Sequence, residues 1–187
     1  MGITQTILRT GLPLVGVALL GLAIVHFTHR GPDDDVPLRA FINQPAPDFA
    51  LPLIDGGTLK LSEHRGKVVV LDFWSVYCPP CIVGMPINEK IAERYAGQGV
   101  EMFAVNVGDS AGDIARLRES IRIKTPIATD TDTAVARAYQ VVYFPQIVVI
   151  DRQGLLHAVA TPLPEELENW LPAAIESALK SGEAAAK

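Results

Sequence analysis

The sequence predicts an α/β domain in which helices flank both faces of a mixed central β-sheet. Two runs of apolar and β-branched residues, Val68–Trp74 and Val100–Val107, are typical of strands buried on both faces. Each run is followed by a segment with helix-start signals. A turn at 151–154 then joins two more apolar runs as an antiparallel pair. Strands that alternate with helices and end in a hairpin and a helix produce this architecture.

A β-hairpin is predicted at the N-terminal start of the domain. Apolar residues alternate with others over 49–53 and again over 59–61, on either side of Gly56 and Gly57. Alternation across a glycine turn is typical of a hairpin. A short capped turn at 62–66 leads to the first buried strand.

Helices and short strands fill the remainder of the domain. Pro79 and Pro80 are tolerated in the first turn of a helix, and Pro86 is expected to kink it. Ser110 is a typical cap for the next helix, and the last helix carries one apolar face. The predicted helices are 78–97, 110–121, 133–139 and 165–179, and the further strands are 126–129, 146–150 and 155–160.

Composition and charge bound the class of protein. A chain of 187 residues is long enough for one domain with a short appendage. The net charge of −5 and the lack of a lysine and arginine stripe argue against a nucleic-acid partner. A hydrophobic content of 49% and a mean hydropathy of +0.24 are high for a soluble domain, which indicates a membrane segment.

The N-terminal segment is predicted to be an uncleaved signal-anchor with one transmembrane helix. An apolar run at 11–27 is close to the shortest length that spans a bilayer. No small-x-small site and no lipid-accepting cysteine follow it, although a cleaved signal peptide and a buried cytosolic helix stay alternatives. We expect a single-pass protein of a cell inner membrane, with its C-terminal domain facing the periplasm or extracytoplasmic space. The predicted layout is an anchor at 1–30, a polar linker at 31–44, a domain at 45–180 and a disordered tail at 181–187.

Cys78 and Cys81 are the candidate reactive groups. Two cysteines are too few for a disulfide-stapled scaffold or a structural zinc site, and the histidines have no ligand-like spacing, so we predict no metal and no cofactor. The pair opens a helix directly after a buried strand, where backbone N–H groups and the helix dipole favour an anion. Cys78 is therefore predicted to be the nucleophilic thiolate, and Cys81 to resolve the mixed disulfide by forming a Cys78–Cys81 disulfide. A pair of inert buried thiols is the alternative.

Asp72 is the charged residue within the first buried strand. A buried carboxylate costs free energy unless it is paired or protonated, and burial is expected to raise its pKa toward neutrality. At such a pKa, Asp72 is a candidate to accept the proton of Cys81. A structural carboxylate that binds backbone N–H groups is the alternative.

Segment 72–81 resembles the active-site segment of the thioredoxin superfamily, and residues 45–179 resemble its membrane-anchored TlpA/ResA/CcmG branch, with an AhpC/TSA–Redoxin-like domain. The features that carry the resemblance are a Pro-x-Pro-x-Phe start at 45–49, an inserted helix and strand over 111–129, Pro86 five positions after the second cysteine, and Pro145 before a strand that ends in Ile-Asp-x-x-Gly. The resemblance implies a thioredoxin-like fold and a thiol–disulfide oxidoreductase that reduces protein disulfides, often for cytochrome c maturation or metal-site assembly. It also implies a protein thiol or disulfide as substrate and a thiol-type membrane electron donor as second partner.

The resemblance further implies a cis peptide bond before Pro145, which would expose the backbone of Phe144 to an extended substrate. The sequence alone favours an ordinary trans proline at the first residue of a strand. The predicted substrate-binding residues are Pro145, Phe144, Tyr77 and Trp74, although Trp74 fits a plain core position equally well.

Several positions depart from the branch. Tyr77 replaces a common tryptophan before the first cysteine, and Gly84 replaces a common acidic residue. Asp72 stands where the branch often has asparagine, and it resembles the buried aspartate of thioredoxin itself. Tyr143 and Phe144 stand where small or β-branched residues are usual, which predicts an apolar docking surface.

Two other functions fit parts of the pattern. A thiol peroxidase of the peroxiredoxin type shares the Pro-x-Pro-x-Phe start and Ser75-x-x-Cys78, but Leu71 stands where its proline belongs. A copper-delivery module would use Cys78 and Cys81 together with His157. The Cys-Pro-Pro-Cys pattern does not by itself fix the direction of electron flow.

Overall fold

The computed structural model describes residues 36–184. The strands are β1 (Ala50–Pro52), β2 (Thr58–Lys60), β3 (Val68–Trp74), β4 (Val100–Val107), β5 (Ile127–Asp130), β6 (Gln146–Ile150) and β7 (Leu156–Ala160). The α-helices are α1 (Pro79–Tyr95), α2 (Ala111–Ile121), α3 (Ala134–Ala138) and α4 (Pro164–Ala184), and 3₁₀-helices lie at Pro37–Phe41 and Leu61–His64. The predicted anchor lies outside this range. Within residues 36–184, no helix is both long and apolar enough to cross a membrane.

A five-stranded mixed sheet forms the centre of this domain, with the strand order β5-β4-β3-β6-β7. β3, β4 and β5 are parallel, whereas β6 is antiparallel to β3 and β7 is antiparallel to β6. All seven residues of β3 are buried, because this strand lies between β4 and β6 and has both faces covered. The apolar run in the sequence therefore corresponds to the central strand, as predicted.

Successive residues of β3 point to opposite faces of the sheet, so the strand contributes to two separate apolar layers. Val70 packs on one face in a cluster with Ile91 of α1 and Leu171 of α4. Leu71 packs on the other face in the cluster that also contains residues of β1, β2 and α3. Full burial of one such side chain contributes about 1.5–3 kcal/mol. Asp72 has the same parity as Val70, which places it on the face that α1 and α4 cover.

β1 and β2 form the predicted hairpin, with Leu51 opposite Leu59. Gly56 and Gly57 in its turn have φ values of 94° and 86°, which glycine adopts without steric cost. The two leucines pack into the apolar layer that contains Leu71, so the hairpin covers one face of the central sheet.

The domain extends beyond its predicted boundaries at both ends. Residues 36–44, predicted as part of a polar linker, belong to the domain because the side chains of Val36 and Leu38 are buried in its core. At the other end, α4 continues to Ala184, so residues 181–184, predicted as part of a disordered tail, are helical.

Candidate active site

Cys78 and Cys81 lie where β3 ends and α1 begins, at the predicted helix start. Cys78 is the N-cap residue of α1, and its Sγ accepts a hydrogen bond from the backbone N–H of Cys81 at 3.2 Å. Pro79 and Pro80 follow the cap, where their missing N–H groups interrupt no hydrogen bond of the helix. The two sulfur atoms are joined in a disulfide bond. In the reduced protein, the Cys81 N–H and the helix start would stabilise a thiolate at Cys78.

The loop between β3 and Cys78 is held by Asp109, which follows β4. The Asp109 carboxylate accepts hydrogen bonds from the Ser75 hydroxyl at 3.1 Å and from the Val76 N–H at 2.7 Å. It also accepts one from the side-chain amide of Asn106 at 2.8 Å. Asp109 and Asn106 were not predicted as site residues. The signal that could have found them is a pair of polar residues at the carboxyl end of a strand parallel to β3.

Asp72 is buried on the α1 side of the sheet, with 4% of its surface exposed. Burial raises the pKa of its carboxyl group to about 7, and a hydrogen bond from Asn88 opposes this rise. That bond joins Asn88 Nδ2 to Asp72 Oδ2 at 2.8 Å, whereas Asp72 Oδ1 has no hydrogen-bond partner among the residues described. Asp72 is therefore held by a side chain and not by backbone N–H groups, unlike the structural alternative.

A narrow crevice connects Asp72 with Cys81. Asp72 and Cys81 both line it, Gly84 and Asn88 line it from α1, and Pro145 lines it from the loop before β6. Cys81 and Asp72 thus border the same crevice. Asn88 was not predicted as a site residue.

Gly84 lies where α1 approaches α4. A Cβ atom at this position would lie 3.4 Å from Leu167 Cδ2, in van der Waals contact with α4, so Leu167 limits the space for a larger side chain. Residue 84 adds no carboxylate to the crevice because it is a glycine. Among the described residues that line the crevice, Asp72 is the one with a carboxylate.

The peptide bond between Phe144 and Pro145 is cis. This is the geometry that the family resemblance implies and that the sequence alone did not favour. Phe144 is partly exposed at the surface, and Pro145 lies in the crevice with Cys81. The loop before β6 therefore places an exposed aromatic residue next to a proline that lines the crevice with Cys81.

The two predicted aromatic contacts on the β3 side have different positions. Tyr77, directly before Cys78, is 79% exposed, so it is available to a docked protein. Trp74 is 0% exposed and packs in the apolar cluster with Cys78 and Cys81. This position agrees with the alternative of a plain core residue, because the side chain of the last residue of β3 is buried.

Exposed apolar side chains are concentrated around the disulfide. We use the name apolar rim for Tyr77, Val83, Val142, Tyr143, Phe144 and Leu163, which are all large, hydrophobic and exposed. Each lies within three residues of a cysteine or of a proline that lines the crevice. Among the described residues, Phe41 is the exposed large hydrophobic side chain outside this rim.

The histidine considered for a copper site lies elsewhere. His157 is on β7, and its Nε2 is 3.0 Å from the Ser177 hydroxyl on α4. It does not line the crevice that contains Cys81. Within residues 36–184, no three His, Cys, Asp or Glu side chains form a group able to hold a metal ion.

Comparisons with known proteins agree with this geometry. The model of the AhpC/TSA family matches residues 42–159. The thiol-disulfide oxidoreductase ResA of Geobacillus kaustophilus is 33% identical over 171 residues, covering 89% of this chain and 94% of that protein. ResA of Bacillus subtilis is 32% identical over 154 residues, covering 82% of this chain and 83% of that protein. A crystal structure from Chlorobium tepidum, described as a thiol:disulfide interchange protein DsbE, is 31% identical, with a TM-score of 0.70 over 74% of this chain and 97% of that one.

A thioredoxin-like fold with a Cys-x-x-Cys pair at a helix start is the arrangement of thiol–disulfide oxidoreductases. The chain belongs to the AhpC/TSA family and, within it, to the thioredoxin-like thiol–disulfide oxidoreductases that include ResA and DsbE proteins. The predicted family and enzyme class are therefore confirmed.

Proposed function

We propose that the chain is a membrane-tethered, extracytoplasmic reductant of protein disulfides, in which Cys78 attacks the substrate and Cys81 resolves the mixed disulfide. The observation that carries this proposal is the disulfide-forming pair at the start of α1, with Asp72 bordering the same crevice as Cys81. A dithiol at a helix start and a proton acceptor beside the resolving sulfur are the groups that a two-step exchange requires.

The exchange begins with the reduced protein. The Cys78 thiolate attacks one sulfur of a substrate disulfide, a Cys78–substrate disulfide forms, and the other substrate sulfur leaves as a thiolate that takes a proton from solvent. Cys81 then gives its proton to the Asp72 carboxylate as its sulfur attacks Cys78 Sγ. The Cys78–Cys81 disulfide forms, and the second substrate sulfur leaves as a thiolate. Two electrons have then passed from the protein to the substrate.

The environment of Asp72 supports its role as the proton acceptor. With a pKa of about 7, the carboxyl group is ionised in a large fraction of molecules near neutral pH and is still basic enough to hold a proton. An exposed aspartate would hold the proton of a thiol far less well, because its pKa is close to 3.9. Burial on the α1 side of the sheet therefore gives Asp72 the proton affinity that the second step needs.

The apolar rim supports a protein segment as the substrate. Tyr77 and Phe144 would contact apolar side chains on either side of the substrate cysteine, and the backbone before Pro145 would pair with an extended chain. The rim and the crevice contain no charged side chain apart from Asp72, which is buried. We therefore expect recognition by shape and apolar contact, with little contribution from charge.

Membrane attachment and the electron donor are part of the same proposal. The apolar run at 11–27 supports a tether that places the domain outside the cytoplasm. Each turnover leaves the cysteine pair oxidised, so two electrons must return from another dithiol before the next one. A thiol-type donor in the same membrane is the partner that a tethered domain would reach most readily.

The equilibrium reduction potential of the cysteine pair tests the proposal. The full-length chain would be equilibrated with glutathione and thioredoxin redox buffers and the oxidised fraction measured. A potential of about −220 mV or lower supports a dedicated reductant, whereas a value near −120 mV would make the protein an oxidant and reverse the direction. Copper that stays bound to the reduced chain after dialysis, with no reversible dithiol couple, would favour the copper-delivery alternative.

A further inference from the structure

Asn88 has an unusual place for an amide side chain. It is buried on α1, one turn after Gly84, and both residues line the crevice that Asp72 and Cys81 share. Its Nδ2 donates to Asp72 Oδ2 at 2.8 Å, and its own Oδ1 has no hydrogen-bond partner among the residues described. A buried amide that is only partly satisfied costs free energy, so its contact with Asp72 needs an explanation beyond packing.

We propose that Asn88 is the positioning residue for proton transfer, because its amide fixes Asp72 through Oδ2 and leaves Oδ1 to take the proton of Cys81. This inference rests on the proposed function of Asp72 as proton acceptor. The glycine at position 84 lines the same crevice and adds no side chain to it. Helix α1 thus contributes the amide donor of Asn88 to the crevice and no side chain at residue 84.

The hydrogen bond from Asn88 to Asp72 determines in which direction the pKa of Asp72 changes when Asn88 is replaced. A donor that binds the carboxylate favours its ionised form, so Asn88 opposes the rise in the pKa of Asp72 that burial causes. The loss of one hydrogen bond to a charged group typically moves a pKa by about one to two units. Without Asn88, the carboxyl group would stay protonated at neutral pH and could not accept the proton of Cys81.

Few other titratable groups face Asp72. A second narrow crevice is also lined by Asp72 and Asn88, together with Glu89 and Thr125, among others. Across both crevices, the described titratable side chains other than Asp72 are Cys81 and Glu89. Glu89 Oε1 accepts backbone N–H hydrogen bonds at 3.1 Å and 2.7 Å from residues 124 and 125. Lys124 itself pairs with Glu93 and does not line either crevice.

The direct test is a titration of the Asp72 carboxyl carbon by ¹³C NMR in the oxidised full-length chain, with Asp72→Asn to assign the signal. We expect Asn88→Leu, which removes the donor at similar volume, to raise the titration midpoint by about one to two units. Ile91→Leu is the matched control, because Ile91 is buried on the same helix but lines neither crevice. Its midpoint should equal that of the unmodified chain.

A smaller substitution keeps the test informative if leucine disturbs folding. Asn88→Ala should shift the midpoint in the same direction, although by less, since water can enter the space. An unchanged midpoint in either folded variant would overturn the role of Asn88. The pH profile of mixed-disulfide resolution, measured in the same variants, should move upward with the midpoint. If the midpoint moves and the rate profile does not, Asn88 still positions Asp72, and it is the role of Asp72 as proton acceptor that fails.

Discussion

Two buried aspartates, Asp72 on β3 and Asp130 on β5, belong to the same sheet but have different partners. Asp130 is 0% exposed, and its two oxygens accept backbone N–H hydrogen bonds from Val135 at 3.2 Å and Ala136 at 2.7 Å. These bonds satisfy donors at the start of α3, as an N-terminal carboxylate commonly does. Asp72 accepts one bond, from the Asn88 side chain, and borders the crevice that reaches Cys81.

The difference between them is the reason why we propose a reactive role for Asp72 and a structural role for Asp130, although both are buried. Both oxygens of Asp130 are used to hold a helix in place, so its position serves the fold. One oxygen of Asp72 has no hydrogen-bond partner among the residues described, and a carboxylate left in this state costs free energy that a purely structural residue would avoid. The distribution of partners around each carboxylate, together with access to a cysteine, separates the two roles.

The contrast between Asp72 and Asp130 holds only if Cys81, which lines the crevice with Asp72, takes part in disulfide exchange. We expect Cys81→Ser to lower steady-state reduction of a model protein disulfide at least about a thousandfold, because the mixed disulfide can no longer be resolved. Mass spectrometry should show substrate linked to Cys78. Turnover that survives in this variant would mean that Cys81 is not the resolving thiol and that Asp72 has no reaction to serve.

Removal of the Asp72 charge is expected to have the next largest effect. We expect Asp72→Asn to slow resolution of the mixed disulfide about a hundredfold near neutral pH, because a positioned proton acceptor is lost. Stopped-flow measurement of substrate thiol release after formation of the mixed disulfide separates this step from the first attack. The first attack, by Cys78, should keep its rate. A variant that resolves at the original rate would place Asp72 in the same structural class as Asp130.

Stability should respond to pH through Asp72. Its pKa is about 7 in the folded protein against 3.8 for the ordinary group, so the folded state binds more protons between these values. The free energy of unfolding is therefore highest below about pH 4 and falls as the pH rises through 7. Asp72→Asn removes this fall, and we expect it to raise the free energy of unfolding by roughly 2–4 kcal/mol at about pH 8 and by little at about pH 4. Urea unfolding of the oxidised variant and of the oxidised unmodified chain measures this difference at each pH. An equal difference at the two pH values would contradict a raised pKa for Asp72.

The same substitution at Asp130 should act with the opposite sign. Asp130→Asn replaces one acceptor oxygen by an NH₂ group, so a buried backbone N–H at the start of α3 loses its partner. We expect the free energy of unfolding to fall by about 1–3 kcal/mol. Turnover per folded molecule should stay unchanged. A change in the rate of disulfide exchange would show that α3 supports the active site, which would weaken the contrast with Asp72.

Asp72 was predicted from the sequence and its partner Asn88 was not, because the residues around them give different signals. A single carboxylate within Val68–Trp74 interrupts an apolar strand and is visible without any structure. Asn88 lies in a helix, where a polar residue is ordinarily expected on the solvent side. Its burial depends on the packing of α1 against the sheet and α4, which local sequence does not encode. The same holds for Asp109, whose contact with Ser75 depends on β3 and β4 being neighbours.

The order of the elements was predictable because it depends on local periodicity and turn residues. The strand and helix that flank Cys78 matched prediction to within a few residues. The burial of Val36 and Leu38 within the predicted linker was not predicted, because only the folded core shows what these two side chains cover. The exposure of Trp74 was undecided for a related reason, since strand alternation defines a face but not how far the core continues beyond the strand.

The smallest effect is expected at the apolar rim. Tyr143 is 61% exposed beside the cis peptide bond, and we expect Tyr143→Ser to raise the KM for a protein disulfide by about tenfold while the rate of resolution is unchanged, because the residue contributes apolar contact and no chemistry. Phe41→Ser is the matched control, since Phe41 is 38% exposed but lies outside the rim. Salt should change the KM of the unmodified chain less than about twofold, because no charged side chain belongs to the rim. A strong salt dependence, or an equal effect of the two substitutions, would mean that the substrate docks on another surface.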